Sequence, residues 1–320
     1  MSDSNSPISF GAEEPEVLIV LPEQTNQSAL GAAVSDLISA LANWKLWMRL
    51  SVIDIRNRYR RTVLGPFWNV LSMAILITTL GVLWSTIFKQ DLRTHVPYFS
   101  AGYVTWILIV SNFNDHAQGF ASNGPIIRAI SIPFSTHIIR PIARNIMVFG
   151  HALIVHVLVI AITQSPLMEF IPRTGELVPV QYTYDIVSLL LFPAGMLILS
   201  LNFIWIGLIL ATICARYRDI AQVVVALLQV AFFATPIFWH RDVLLLDTND
   251  DNVGDTPGIA DAILAQFNPF FHWVDVVRRP LLGEIPSQLT YMVTLGGIVI
   301  GFIVAIFIFS RYRKRISYWV

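Results

Sequence analysis

The side chains with the clearest potential for chemistry lie inside a long apolar stretch of the 320-residue chain. Asp115 and His116 follow an uncharged run and precede another. Ionisable residues are costly in an apolar surrounding, so they tend to be functional there. One interpretation is a polar site that faces a pore or a gate. The alternative is a polar cluster with Asn112 and Asn114 near a membrane boundary, and both stay open.

Motifs that would give the chain a catalytic or cofactor site of its own are absent from the sequence. There is no GxxxxGK[ST] loop to hold ATP phosphates, and no HExxH, CxxC or GxSxG motif. His151 and His156 are five residues apart, a spacing that does not place both on one helical face. The single cysteine, Cys214, is predicted to be a buried packing residue. We therefore predict no catalytic residue, no metal and no cofactor on this chain.

Composition indicates which elements must position these residues. The chain is 55% hydrophobic and 13% charged, whereas soluble domains carry about a quarter charged residues. Apolar runs of about 20 residues span a bilayer as helices. The predicted fold is an all-α integral membrane protein with six transmembrane helices, at 67–88, 97–120, 142–163, 186–215, 220–238 and 289–309.

The segment before the first span divides into two parts. Residues 1–32 are rich in Ser, Pro, Glu and Gln, which predicts a disordered cytosolic tail ahead of a membrane domain at 33–320. Apolar residues then recur at spacings of three and four over 34–60, opposite a face that carries Lys45, Arg49, Arg56 and Arg58. This pattern predicts an amphipathic helix in the headgroup plane, with ordinary core packing as the alternative.

The distribution of basic residues predicts the orientation. With both termini in the cytosol, the outer connections hold six of the 21 Lys and Arg residues: Lys89, Arg93, Arg173, Arg241, Arg278 and Arg279. The other 15 lie on the cytosolic side, as the positive-inside rule requires. Net charge is zero, so no global field points to nucleic acid.

Three connections look specialised. The outer segment 239–288 is apolar in its second half but broken by Asn268-Pro269 and by Pro280. We predict outer re-entrant helices there, lining an exit, with capping interfacial helices as the alternative. The cytosolic segment 123–133 is a short helical stretch bounded by prolines, and 215–220 is a short connection. Both are predicted to be contact surfaces for a partner. For Arg216 and Arg218 a plain positive-inside anchor is equally open.

Aromatic residues make up 12% of the chain. Most fit an interfacial belt and core packing. Some could ring a pore, because the apolar faces of sugar rings stack on aromatic side chains.

Four segments, in order over residues 40–315, resemble those of ABC-2 type permeases that export polysaccharides. The first is RYRRTVLGPFW at 58–68; the others are 123–133, RYRDI at 216–220, and FNP at 267–269 followed by Arg278. The resemblance implies a cytosolic entrance at Arg58, Tyr59, Arg60, Arg61, Gly65, Pro66 and Trp68. It implies a helix coupled to an ATPase at Pro125, Ile126, Ile127, Arg128, Ile130 and Pro133. A cytosolic loop at Arg216, Arg218 and Asp219 and an outer gate at Asn268, Pro269 and Arg278 complete the set.

The family also implies partners and a substrate. It implies a homodimer in the bacterial inner membrane, paired with separate cytosolic ATPase subunits that bind ATP and Mg. The cargo would be a lipid-linked polymer such as O-antigen, capsular polysaccharide or teichoic acid. Two alternatives stay open: an ABC-2 permease for a small lipophilic compound, and a membrane-embedded glycosyl- or acyltransferase.

Overall fold

The computed structural model describes residues 28–60, 63, 65, 67–164, 185–241 and 261–320. Within these ranges the chain is helical and contains no β-strand. We number ten α-helices in chain order: α1 (Ala29–Ala42), α2 (Trp44–Arg58), α3 (Phe67–Ile87), α4 (Leu92–Ala117), α5 (Gly124–Ala129), α6 (Thr136–Thr163), α7 (Ile186–Arg216), α8 (Ile220–Ala234), α9 (Pro269–Leu281) and α10 (Gln288–Trp319). A turn of π-helix, Ala262–Gln266, precedes α9.

Four of these helices, α3, α6, α7 and α10, are long and apolar enough to cross a membrane. The other two predicted spans differ for physical reasons. Helix α4 has 26 residues, enough for about 39 Å, but Arg93, Asp115 and His116 lower its apolar character. Helix α8 is apolar but has 15 residues, about 22 Å against a hydrocarbon core of about 30 Å.

Most helix bounds lie close to the predicted ones, and the larger differences have local causes. Helix α4 begins at Leu92 rather than 97 because Asp91 caps it, its carboxylate accepting from the Arg93 amide at 3.0 Å. Helix α10 continues to Trp319, ten residues past the predicted end. Its basic run stays helical because Lys and Arg are good helix formers.

The N-terminal segment folds onto the bundle as two helices rather than one. Helix α1 begins at Ala29, four residues inside the predicted tail, whose residues 1–27 lie outside the described ranges. Asn43 ends it, bonding its side-chain amide to the Ser39 carbonyl at 2.9 Å. The charged residue of α1, Asp36, is 5% exposed.

Asp36 connects three elements at one end of the bundle. Its carboxylate accepts from the amides of Phe134 and Ser135 at 3.0 and 2.9 Å, and from Arg313 at 3.1 Å. The two amides precede α6, so the carboxylate caps that helix from a distance. This explains why α6 begins at Thr136, six residues before the predicted span.

The relative directions of the helices determine which segments meet at each end of the bundle. Helices α4 and α8 run in opposite directions, whereas α7 and α10 run parallel to each other, since Asn202 contacts Thr294 and Arg216 contacts Trp319. One end, the inner end, holds α1, α2, α5, the start of α6 and the ends of α4, α7 and α10. The other, the outer end, holds the ends of α8 and α9 and the starts of α4, α7 and α10.

Candidate functional site

The predicted coupling segment forms the short helix α5 at the inner end. Pro125 occupies its first turn, where a missing amide proton costs nothing. Ile126 within the helix and Ile130 directly after it are 37% and 56% exposed, so both present apolar side chains outward. Pro125 and Arg128 are also exposed, whereas Ile127 and Pro133 are half-buried.

The end of α10 holds α5 in place. Arg128 donates to the Val320 carbonyl at 2.6 Å. A Cβ atom on Gly124 would lie 3.0 Å from the carbonyl carbon of Val320, so the two backbones are in close contact.

The predicted cytosolic loop meets the same part of α10. The Arg216 guanidinium lies 5.6 Å from the Trp319 ring centre and 5.1 Å from that of Tyr217, within the range of cation–π attraction. Arg218 and Asp219 are exposed beside it. The structure thus brings α5 and the α7–α8 loop together through Trp319 and Val320.

A polar network crosses the inner end between α2, α4 and α6. Asp54 of α2 forms a bidentate ion pair with Arg140 and lies 3.5 Å from Arg144. Arg144 also bonds Asp115 of α4 at 2.5 Å, and Asn145 donates to the same carboxylate at 2.7 Å. Asp115 is therefore paired, and its partners come from α6.

His116 lies apart from this network. Its ring is fully buried against Gly207 of α7, and its Nε2 lies 3.2 Å from the Ile138 carbonyl. Asn112 donates to the Leu108 carbonyl within its own helix. The two adjacent residues Asp115 and His116 thus have separate surroundings.

The predicted entrance lies between α2 and α3. The Tyr59 hydroxyl accepts from Asn69 at 2.6 Å, and Gly65 adopts φ +54°, which favours glycine. Arg58, Arg60 and Trp68 are exposed. Arg61 and Pro66 lie outside the described residues.

The predicted outer gate is joined to the end of α8. Asn268 caps α9 through the Phe270 amide at 3.0 Å and donates to Thr235 at 3.0 Å. Pro269 follows as the first residue of α9. The start of α9 contacts Phe113 through Phe270, with ring centres 5.7 Å apart. Its far end reaches Tyr98, so α9 runs antiparallel to α4.

Arg278 is the centre of the contacts at this end. It is 2% exposed, donates to the Pro236 carbonyl at 2.5 Å and to Asp275 at 3.1 Å, and lies 4.2 Å from the Tyr98 ring centre. A buried arginine needs this full set of partners, because an unpaired buried charge is costly.

His240, in the connection after α8, also contacts the residues around Arg278. Its ring stacks on Tyr98 with centres 3.7 Å apart. Burial, and then the charges of His95 and Arg278, lower the pKa of His240 to about 3. The ring is therefore neutral at physiological pH and adds no charge beside Arg278.

Comparison with known proteins adds the decisive observation. The family described as ABC-2 type transporter matches residues 45–247, from α2 through α8. The chain belongs to this family. Within ABC-2 transporters, it is 23% identical over 186 residues to the O-antigen export system permease protein RfbA of Myxococcus xanthus. A relative of the same name from Klebsiella pneumoniae is 22% identical over 199 residues.

These matches cover 58% and 60% of this ABC-2 transporter, and 65% and 67% of the two relatives. They reach less than two thirds of the length of the Myxococcus protein. The family and the apolar helices together make the chain a multi-pass membrane protein.

Several residues of this ABC-2 transporter had not been predicted to belong to the sites. At the inner end they are Asp36, Asp54, Trp319 and Val320; at the outer end they are Tyr98, Pro236, His240 and Asp275. The sequence signals that could have pointed to them are local. They are an aspartate, Asp36, in an otherwise uncharged helix, and two aromatic residues, Tyr312 and Trp319, seven positions apart in the basic end of α10. Neither signal reveals contacts such as Asp36–Arg313 and Tyr98–Arg278, which join residues 277 and 180 positions apart.

Proposed function

We propose that the chain is the transmembrane subunit of an ATP-driven exporter. It moves a lipid-linked cell-surface polysaccharide, such as O-antigen or capsule, from the cytosol across the bacterial inner membrane. The chain works as a homodimer with separate ATPase subunits, both of its termini in the cytosol. The observation that carries this proposal is the ABC-2 match over residues 45–247 together with relatives named as O-antigen export permeases.

The inner end supports coupling to an ATPase subunit. Helix α5 and the residue that follows it offer two exposed isoleucines, Ile126 and Ile130, beside the exposed Arg128. Its attachment to the end of α10 links it to a 32-residue helix. A force applied to α5 is therefore passed to the length of the bundle.

The outer end supports a gate. We propose that residues 261–281 form a re-entrant pair with its turn at Asn268, inside a bundle of six spans that includes α4 and α8. The antiparallel course of α9 beside α4 supports this arrangement. At the turn, the Asn268 side chain donates to the Leu264 carbonyl and the Thr235 hydroxyl and accepts from the Phe270 amide. These bonds satisfy backbone polar groups of the turn, which irregular backbone at membrane depth requires.

An aromatic surface between α4 and α8 supports a sugar as the cargo. A cavity of about 320 Å³ there is lined by Tyr103, Trp106, Phe232 and Phe233 among others. The Trp106 and Phe232 rings lie 5.8 Å apart. Flat rings offer stacking surfaces to the apolar faces of sugars without a fixed binding register, which suits a polymer that must slide.

The test is a clean deletion of the gene, complemented with the wild-type chain. We expect the deletion strain to accumulate polymer in the cytosol and to lose it from the cell surface. Purified alone, the chain should hydrolyse no ATP, because its sequence has no phosphate-binding loop.

The outcomes separate the alternatives. Normal surface polymer in the deletion strain would contradict polysaccharide export. Sensitivity to lipophilic drugs without a glycan defect would favour a small-molecule permease of the same family. Transferase activity that an Asp115→Ala variant abolishes in reconstituted membranes would favour an enzyme.

A further inference from the structure

A second cavity, of about 340 Å³, lies within the chain between α3, α4 and α6. It is separate from the aromatic surface on the α8 side of α4, although Tyr103 and Ile107 border both. Arg58, the last residue of α2, stands at its inner mouth. We call it the α3–α6 cavity.

The lining of the α3–α6 cavity changes from polar to apolar along the bundle. On each of the three helices, the Asn and Ser residues of the lining lie nearest the inner end: Asn69 and Ser72 on α3, Ser111 on α4 and Asn145 on α6. Farther outward, the walls are mostly apolar, with residues such as Leu76, Val104, Ile107, Phe149 and Ala152. The same gradient on three helices makes the cavity amphipathic as a whole.

The polar end is built to receive an anion. Arg58 is exposed and has no acidic partner among the residues that the structure describes. Asn145 is 3% exposed and is fixed by its bond to Asp115. Asn69 is fixed by its bond to Tyr59. Phe67 and Trp68 directly precede Asn69 in α3 and have exposed rings, and aromatic side chains are enriched at the headgroup level.

The dimensions limit the occupant. A volume of about 340 Å³ equals roughly eleven water molecules at their share of the liquid. This is room for part of one hydrocarbon chain and too little for a polymer. Hydrocarbon is favoured over water at the apolar end, and a phosphate is favoured beside an unpaired arginine.

We propose that the α3–α6 cavity binds one phospholipid of the adjacent leaflet, with its anionic headgroup at Arg58 and one acyl chain between α3, α4 and α6. This lipid is a resident of the protein and not its cargo. The inference does not rest on polysaccharide export, so either can fail while the other stands.

The experiment measures lipid retained by the full chain in complex with its ATPase. Detergent first removes bound lipid from the complex, which is then incubated with phosphatidylglycerol or with phosphatidylethanolamine. Native mass spectrometry measures how many lipid molecules each chain retains. We expect one phosphatidylglycerol per chain and less phosphatidylethanolamine. Arg58→Ala should reduce occupancy about fivefold, the effect of one cation near an anionic headgroup, and Arg58→Lys should restore most of it.

A second variant and a control keep the result interpretable. Ala152→Phe fills the apolar end and should lower occupancy more than tenfold, provided that the complex still elutes as the wild type does. Arg49→Ala removes an exposed cation from the same helix away from the cavity and should leave occupancy unchanged. Equal retention in all variants, or no retained phospholipid in the wild type, would overturn the proposal. So would displacement of the phospholipid by an isoprenoid phosphate at equal concentration, because the site would then belong to the cargo's lipid anchor.

Discussion

At the scale of single residues, glycines determine how closely the helices pack. A Cβ atom on Gly195 would lie 2.3 Å from the Val276 carbonyl oxygen, which is backbone and cannot move aside. Small residues allow such close approach between membrane helices. We expect Gly195→Ala to separate α7 from α9 and to destabilise the protein by about 1–3 kcal/mol, visible as a lower thermal unfolding midpoint in detergent.

Gly150 provides the matched control. It also lies within a helix, but nothing stands within 4 Å of its added Cβ. Gly150→Ala should be neutral or stabilise the protein by about 0.5–1 kcal/mol, because alanine loses less entropy in a helix. Equal effects of the two substitutions would contradict the close contact at Gly195.

The buried charge at the outer end gives a second prediction for single residues. Asp275 bonds Arg278 at 3.1 Å, Arg279 at 2.9 Å and Thr290 at 3.2 Å. Asp275→Asn leaves the Arg278 charge buried without its counter-ion, a change that costs about 3–5 kcal/mol. We expect a strongly lowered unfolding midpoint, or loss of the protein from the membrane fraction.

The control for Asp275 is Glu284→Gln. Glu284 is 49% exposed and lies 3.7 Å from Arg279. Exposed ion pairs contribute about 0–1 kcal/mol, so this variant should unfold close to the wild type. A similar loss in both variants would show that Arg278 does not depend on its buried partner.

At the scale of elements, the end of α10 is predicted to transmit motion to α5. Trp319→Ala removes the ring beneath Arg216 and loosens the segment that Arg128 contacts at Val320. We expect the assembled complex to keep its ATPase subunits while polymer transport per ATP hydrolysed falls severalfold. Transport and hydrolysis measured together in proteoliposomes check this.

Arg315→Ala is the control for Trp319. Arg315 is exposed on the same helix and has no hydrogen-bond or ion-pair partner within the described ranges. Its removal should leave the ratio of transport to hydrolysis unchanged. An unchanged ratio in Trp319→Ala would show that α5 does not need the end of α10.

The helix bounds also show how much of the fold could be predicted from the sequence. Helices α3 and α7 begin where predicted and end within one residue of it, because an uncharged run has only one way to satisfy its backbone in lipid. The break at Asn43 was missed, since asparagine ends a helix by a local bond that leaves no Gly or Pro signal. The Asn268-Pro269 turn was found because that signal is local. The contact between Arg278 and Tyr98 was not found, because the two residues are 180 positions apart.

At the scale of the whole molecule, the basic end of α10 should lie in the cytosol. The inner end gathers Arg313, Arg128, Arg140 and Arg216, and the positive-inside rule places such an end on the cytosolic side. The orientation can be read with single cysteines in a Cys214→Ala background, since Cys214 is buried. Suitable positions are Tyr318, 88% exposed at the inner end, and Ile285, 59% exposed at the outer end.

An impermeant maleimide should label Ile285→Cys in intact spheroplasts and Tyr318→Cys only in inverted vesicles. The physical reason is that α10 has 32 residues, about 48 Å, so its two ends cannot share one face of a bilayer of about 30 Å. Labelling of both positions from the same side would remove α10 as a span. Labelling in the reverse order would place α5 outside the cell, where no ATPase could reach it, and would contradict the proposed coupling.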